Sequence, residues 1–308
     1  SGALIRINAK NKSVMWRKKL PGFHLTALSP NARFLAVRHS EKNGAQQIKI
    51  YDTETGQAIQ DIGEASHVVF VWSPDSNYLY SFLSMGKHGR IIKTSVQDWS
   101  IVASLDLDQS MAGTLAKMIC APSGRYLCNL VHLGKGALVL DTTSLREVGR
   151  IPSTKNQSVI KALSFEAHTS QLVYARDRVL WRSNQDNSPP IELYRSNQHI
   201  QSIWPLVDGR HIACTVSEAL MIDGNEVRPL IRFPESILKS SILEDGLLMT
   251  VSQNGTFTGH SLETTLLPKA ELTANPGSTG RQVEINNVNQ TLLYRDWTQD
   301  SVFLSPIE

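Results

Sequence analysis

Cysteine is scarce in this 308-residue chain, and the three that occur are an odd number, so no paired framework of the kind that staples small secreted domains is available. Charged residues make up only 19% and apolar residues 41%, which excludes a disordered, self-repelling tail and predicts a packed core. Long apolar runs are missing: none approaches the roughly 20 residues of a membrane-spanning helix, and no basic stretch followed by an apolar segment opens the chain. A soluble protein is expected. The first residues are Ser1-Gly2 with no initiator Met, as in a domain cut from a longer precursor. Also missing are the short signatures of common enzymes: no GxxxxGK[ST] or GxGxxG loop, no HExxH, CxxC or GxSxG, and no EF-hand pattern. Sustained helical periodicity is absent, with "MAGTLAKM" (111 to 118) the one short helical candidate.

What the chain does have is a repeat. "LSPNARFLAV" (28 to 37) returns as "VWSPDSNYLYS" (71 to 81), "ICAPSGRYLCN" (119 to 129) and "ALSFEAHTSQLVYA" (162 to 175). Fainter copies follow as "WPLVDGRHIACTV" (204 to 216), "SILEDGLLMTV" (241 to 251) and "EINNVNQTLLYRD" (284 to 296). Successive copies are 37 to 48 residues apart. In each gap an apolar strand runs into a tight polar turn, best seen in "IKIYDTETGQAI" (48 to 59), "ALVLDTTSLREV" (137 to 148) and "ALMIDGNEVRPL" (219 to 230). Asp52, Asp141 and Asp223 share one position there, where a carboxylate can bond the turn's own backbone. Each period thus supplies four strands. Runs such as Phe34 to Val37 and Ala137 to Leu140 are continuously apolar, so both of their faces must be covered. A period in the 40s with four short strands predicts the blade of a β-propeller.

These residues resemble the WD40 and YVTN-type β-propeller superfamily over essentially the whole chain. "SPDSNYLY" looks like the turn into the second strand of such blades, and "YDTETGQ" like their third-to-fourth strand turn. The N-terminal "LIRINAKNKSVMWRKKL" (4 to 20) is similar to quinoprotein-like blades, with Trp16 where those place a docking Trp. Strict WD40 features are missing: there is no Trp-Asp dipeptide, and only His24 and His67 stand where the Gly-His histidine would. The resemblance implies one all-β domain over residues 1 to 308, a seven-bladed propeller of four-stranded antiparallel blades.

Closure of the ring is expected between the chain ends, with "DSVFLSPIE" (300 to 308) completed by "SVMWRKKL" (13 to 20) and "ALIRIN" as an additional edge or pairing strand. Seven Ser-Pro-type turns stand against eight Asp-type turns if Asn8 and Ser305 both count, which leaves an eight-bladed parent as the alternative. Pairing about the turn at 121 to 124 sets Cys120 opposite Arg125 and Cys128 opposite Lys117. The thiols are therefore expected to be reduced and buried, as in a cytoplasmic protein, with a periplasmic or secreted setting as the alternative.

Charge is unevenly placed. Residues 1 to 50 hold ten Lys or Arg against Glu41 alone, and the remainder carries net −6. The connections between second and third strands read "RHSEKNG" (38 to 44), "MGKHGR" (85 to 90), "HLGKG" (132 to 136) and "RDR" (176 to 178). They make Arg38, Lys42, Lys87, His88, Arg90, Lys135, Arg176 and Arg178 the candidate partner-binding residues, a basic rim on blades one to four. The matching connections of later blades hold Glu218, Asp296 and Asp300. His39, His88 and His132 lie near the same connections, but their offsets fit no recognised metal-ligand spacing, so no metal or cofactor is expected. Nucleic acid is disfavoured because aromatics are not interleaved with the cations. Trp16, Trp72, Trp181 and Trp204 fall in strand patterns and are expected in the core, whereas Trp99 and Trp297 lie at turns and are expected at the surface. The insertions at 39 to 47 and 107 to 116 share the basic rim, and "SNQDNSPP" (183 to 190) turns on the opposite face.

The resemblance implies scaffold or sensor work: a non-catalytic platform binding another protein with an acidic surface, monomeric within a larger assembly or chain. Its alternatives are a channel-centred enzyme, lactonase-like or quinoprotein-like, and an extracytoplasmic assembly factor.

Overall fold

The computed structural model describes residues 2–7, 13–20, 23–41, 44–86, 88–107, 117–131, 136–152, 158–166, 171–183, 188–206, 210–224, 226–242, 247–253, 256–261, 271–273, 281–286, 291–296 and 301–306. Every regular element among them is a strand, and all but the terminal sheet are four-stranded, antiparallel and made of consecutive strands. Sheet 1 comprises β3 (Phe23–Leu28), β4 (Phe34–Ser40), β5 (Gln46–Asp52) and β6 (Ala58–Ala65). Sheet 2 comprises β7 (His67–Trp72), β8 (Tyr78–Met85), β9 (His88–Ser95) and β10 (Ile101–Leu107). Sheet 3 holds β11 (Met118–Cys120), β12 (Tyr126–Val131), β13 (Gly136–Asp141) and β14 (Glu147–Ile151). Sheet 4 holds β15 (Ile160–Phe165), β16 (Leu172–Arg176), β17 (Val179–Arg182) and β18 (Ile191–Arg195).

Sheet 5 follows with β19 (Ser202–Pro205), β20 (His211–Cys214), β21 (Glu218–Asp223) and β22 (Glu226–Arg232), and sheet 6 with β23 (Ile237–Ile242), β24 (Leu247–Ser252), β25 (Thr256–Ser261) and β26 (Glu271–Thr273). Sheet 7 joins both ends of the chain in the order β2-β1-β29-β28-β27, with β1 (Gly2–Ile7), β2 (Val14–Leu20), β27 (Arg281–Asn286), β28 (Thr291–Asp296) and β29 (Ser301–Pro306).

The chain divides into two compact units: residues 1–114 with 277–308, and residues 115–276. In the first, Leu4 meets Leu35, Val37 and Tyr51 between sheets 7 and 1, while Phe34, Ala36, Ile48 and Ile50 meet Val68, Phe70 and Trp72 between sheets 1 and 2. Alternate residues of β4 thus serve opposite faces of one sheet, which is why its apolar run is unbroken. In the second unit, Cys128 and Leu130 pack with Phe165 and Tyr174, Ala175 and Leu180 with Ile203 and Ala213, and Ile212 and Met221 with Ile237 and Leu248.

In sheets 1 and 2 the turn that marks the repeat is closed by the same set of bonds. Ser29 Oγ accepts from Phe34 N at 2.9 Å and donates to Asn31 Oδ1 at 2.7 Å, and Asn31 Oδ1 also accepts from Arg33 N at 3.0 Å. Ser73, Asp75, Asn77 and Tyr78 repeat the pattern at 2.5 to 3.0 Å. Ala32 and Ser76 take left-handed backbone at equivalent places, a conformation that short polar turns tolerate. The Asp-type turn behaves as expected: Asp52 Oδ1 accepts from Thr55 N, and Asp141 Oδ1 from Ser144 N, each at 2.9 Å. These bonds hold both carboxyls below their ordinary range. After Asp52 and Asp141 a threonine ties the two landmarks together. Thr53 Oγ1 donates to Ala32 O at 2.5 Å, and Thr142 Oγ1 to Gly124 O at 2.7 Å.

Three expectations are corrected. The turn in sheet 3 spans residues 122–125, closed by Ala121 N to Tyr126 O at 2.8 Å, so Cys128 faces Ile119 and Cys120 faces Leu127. The thiols still do not oppose each other; Cys128 and Cys214 are buried and Cys120 half-buried, and none is in a disulfide. In sheet 7 the strand beside β29 is β1, not the "SVMWRKKL" strand, and it runs parallel. Apolar β1 takes the covered position and cationic β2 the outer one. Trp99 is not an exposed contact: its ring meets Phe34 edge-on at 5.4 Å. Trp72 is buried as expected, and Trp16, Trp181 and Trp204 are half-buried against apolar clusters. Lys42, Lys87, Lys135, His132, Asn8, Trp297, Asp300 and most of the 107–116 insertion lie outside the described residues.

Candidate functional site

Each described member of the cationic set sits where a second strand hands over to a third. Arg38 closes the buried part of β4, and His88 and Arg90 begin β9. Arg176 ends β16, and Arg178 is in the turn that follows it. Their freedom differs. Arg38 Nη1 donates to Val68 O at 3.2 Å while Gln46 Oε1 accepts from Val68 N at 3.2 Å, so both backbone groups of one β7 residue are held from sheet 1. That guanidinium is largely a packing group, and burial lowers its pKa. Arg90 is exposed, directly opposite Asp106 in the ladder, and its Nε bonds Asp106 Oδ1 at 2.6 Å. His88 is exposed. In the second unit Arg176 stacks 5.6 Å from the Tyr174 ring centre, and Arg178 is exposed.

His39 lies on the β4 face away from Arg38, opposite Gln47. Among the described residues no three of His, Cys, Asp and Glu gather closely enough to hold a metal ion. No helix among them is long and apolar enough to cross a membrane.

A feature not read from the sequence is a cleft of about 280 Å³ beside sheet 6, lined by Phe233, Pro234, Glu235, Ile237, Thr250, Ser252, Thr256, Thr258 and His260. Thr250 Oγ1 lies 3.2 Å from His260 Nε2 and also donates to Thr258 O at 3.3 Å. Which of the two donates follows the tautomer of the imidazole, since the hydroxyl can either give or accept a proton there. The period-2 spacing of Thr256, Thr258 and His260 on β25 is the signal that would have found this face.

A partly buried ion pair lies beside a buried histidine elsewhere in the second unit. Arg182 Nε is 2.7 Å from Glu166 Oε1 without the alignment of a hydrogen bond, and His211, only 1% exposed, stands beside the pair. Burial pushes His211 below its ordinary pKa of 6.5; Glu166 opposes the shift and Arg182 adds to it. The unfolded chain therefore takes up a proton near pH 6.5 that the folded chain refuses, and stability falls as pH drops below that value. Urea unfolding at pH 7.5 and 5.5 is expected to differ by about 1 kcal/mol more for the unsubstituted chain than for His211→Gln. The capped carboxylates Asp52, Asp75, Asp98 and Asp141 act below their ordinary value of 3.8, outside this window. An equal drop in the variant would acquit His211.

No protein-family model and no curated protein matches the sequence. Solved structures do. The β-propeller domain of Cps50 (Swd1) from Myceliophteria thermophila is similar at a TM-score of 0.71 and 12% identity, covering 94% of this chain and 98% of that one. A chain of the mitotic checkpoint complex is similar at a TM-score of 0.69 and 12% identity, covering 94% and 93%. With the repeated four-stranded sheets, these likenesses give the chain a β-propeller fold.

Proposed function

We propose that the chain is a non-catalytic interaction platform: one seven-bladed propeller, closed between its terminal strands, that binds an acidic protein partner through cations at the second-to-third strand connections of blades one to four. The observation that carries the reading is the repeated placement of Arg38, His88 with Arg90, and Arg176 with Arg178 at that connection in three separate sheets. Of these, His88, Arg90 and Arg178 are exposed and able to meet a partner. One of the similar structures belongs to a complex, which accords with a protein partner. Three unbridged thiols, with burial raising Cys214 to about 11 and Cys128 further, accord with a reducing, cytoplasmic setting.

The test is charge reversal. Lys87→Glu with Arg90→Glu, and Arg178→Glu in addition, are expected to remove most of the capture that the unsubstituted chain shows at low salt. They are also expected to flatten its salt dependence, with the thermal midpoint moved by no more than about 2 °C. Undiminished capture by the folded variant removes the basic rim from this reading.

A further inference from the structure

The outermost strands differ in charge. β6 carries Asp61 and Glu64, β10 Asp106, β14 Glu147, β18 Glu192, β22 Glu226 and β26 Glu271. Four of these carboxylates are balanced locally, Asp61 by Lys49 at 3.6 Å, Asp106 by Arg90 at 2.6 Å, Glu147 by Arg150 at 2.7 Å and Glu192 by Arg195 at 2.8 Å. β2, Val-Met-Trp-Arg-Lys-Lys-Leu, has three cations and no carboxylate. Its ladder partners offer none either, since Arg17, Lys18 and Lys19 stand opposite Ile5, Leu4 and Ala3. Lys18 turns toward sheet 1, 4.9 Å from the Tyr51 ring centre and 3.4 Å from Gly56 O. Strand alternation puts Arg17 and Lys19 on the other face. Both are exposed, with no carboxylate partner among the described residues. β2 also ends the order of sheet 7, so only one of its sides is hydrogen-bonded in the ladder.

We propose that β2 is an open edge that takes up one extended, acidic segment of a partner protein as a further strand of sheet 7. Regular pairing runs from Trp16 to Leu20; a bulge at Met15 breaks it, leaving Val14 and Met15 59% and 49% exposed. Cations and a bulge are devices that protect an edge against indiscriminate pairing. Here they act as a filter. An uncharged strand would leave Arg17 and Lys19 unmatched, and a second copy of β2 would set cation against cation. A strand with Glu or Asp at alternate positions gains main-chain bonds and two charge pairs. This edge is separate from the second-to-third strand connections and stands without the rim proposed above.

The probe is an acetylated (Glu-Val)5 peptide added to the full chain, read by amide hydrogen exchange. Exchange over Val14–Leu20 is expected to slow at least ~5-fold, with β6 and β10 unaffected. Arg17→Glu with Lys19→Glu, both at exposed positions, is expected to reverse the preference to (Lys-Val)5. The Lys87→Glu, Arg90→Glu variant should respond as the unsubstituted chain does, which separates the two surfaces. The proposal is overturned if β2 gains no protection, if (Lys-Val)5 protects the unsubstituted chain equally, or if the charge swap changes nothing. Protection that grows with protein concentration alone would overturn it in favour of a second copy of the chain.

Discussion

Gly56→Ala is expected to cost the first unit ~3 kcal/mol, against ~1 kcal/mol for Gly86→Ala. Both glycines take left-handed backbone, at φ +70° and +72°. Alanine pays the same conformational cost at either. They differ in what a Cβ would meet. At Gly86 nothing lies within 4 Å, whereas at Gly56 the new atom would sit 2.7 Å from Trp16 Cδ2 and about as close to two more ring atoms. The indole cannot simply step back, because its Nε1 donates to Thr53 O at 2.9 Å, the carbonyl that also accepts from Arg6 Nη1 at 2.9 Å. The β1–β2 hairpin must therefore shift against sheet 1. Equal losses in the two variants, measured by urea unfolding, would show that the ring yields freely.

Trp72→Ala should be the most damaging single change, at ~4 kcal/mol. The side chain is 4% exposed within the cluster that joins sheets 1 and 2. It stacks on Phe34 at 6.3 Å, and its Nε1 donates to Ala27 O at 2.9 Å, the far strand of the neighbouring sheet. Trp72→Phe keeps most of the apolar area and forfeits the bond, so about 1 to 2 kcal/mol is expected. An alanine variant losing less than ~2 kcal/mol would mean that the two sheets re-pack around the gap.

The repeat was legible because its turns depend on local chemistry. A Ser that bonds backbone five residues on, an Asx two residues after it, and an Asp that caps its own turn all read as short patterns. The apolar runs were legible for a related reason, since two covered faces erase alternation. What escaped depends on distance. Thr53 and Thr142 look like ordinary turn residues until the fold brings Ala32 and Gly124 to them. Trp99 reads as a surface residue until Phe34, 65 positions earlier, supplies the edge contact. The order of β1 and β2 follows from which strand sheet 1 buries, and neither strand declares this alone. Of the cationic set, the shared connection was visible, but not that Arg38 would be spent on Val68 or that Arg90 would face Asp106.

The parallel join of β1 to β29 has a bearing on synthesis. It pairs Leu4 with Val302, nearly 300 positions apart, while each other sheet is drawn from one continuous stretch of the chain. Closing so long a loop is entropically costly and slow compared with making local hairpins. Six sheets can therefore assemble in order as the nascent chain emerges, whereas β1 must wait for β29. Throughout that interval the side of β1 that β29 will cover is a bare edge, and a ribosome-bound intermediate would be most open to mispairing there.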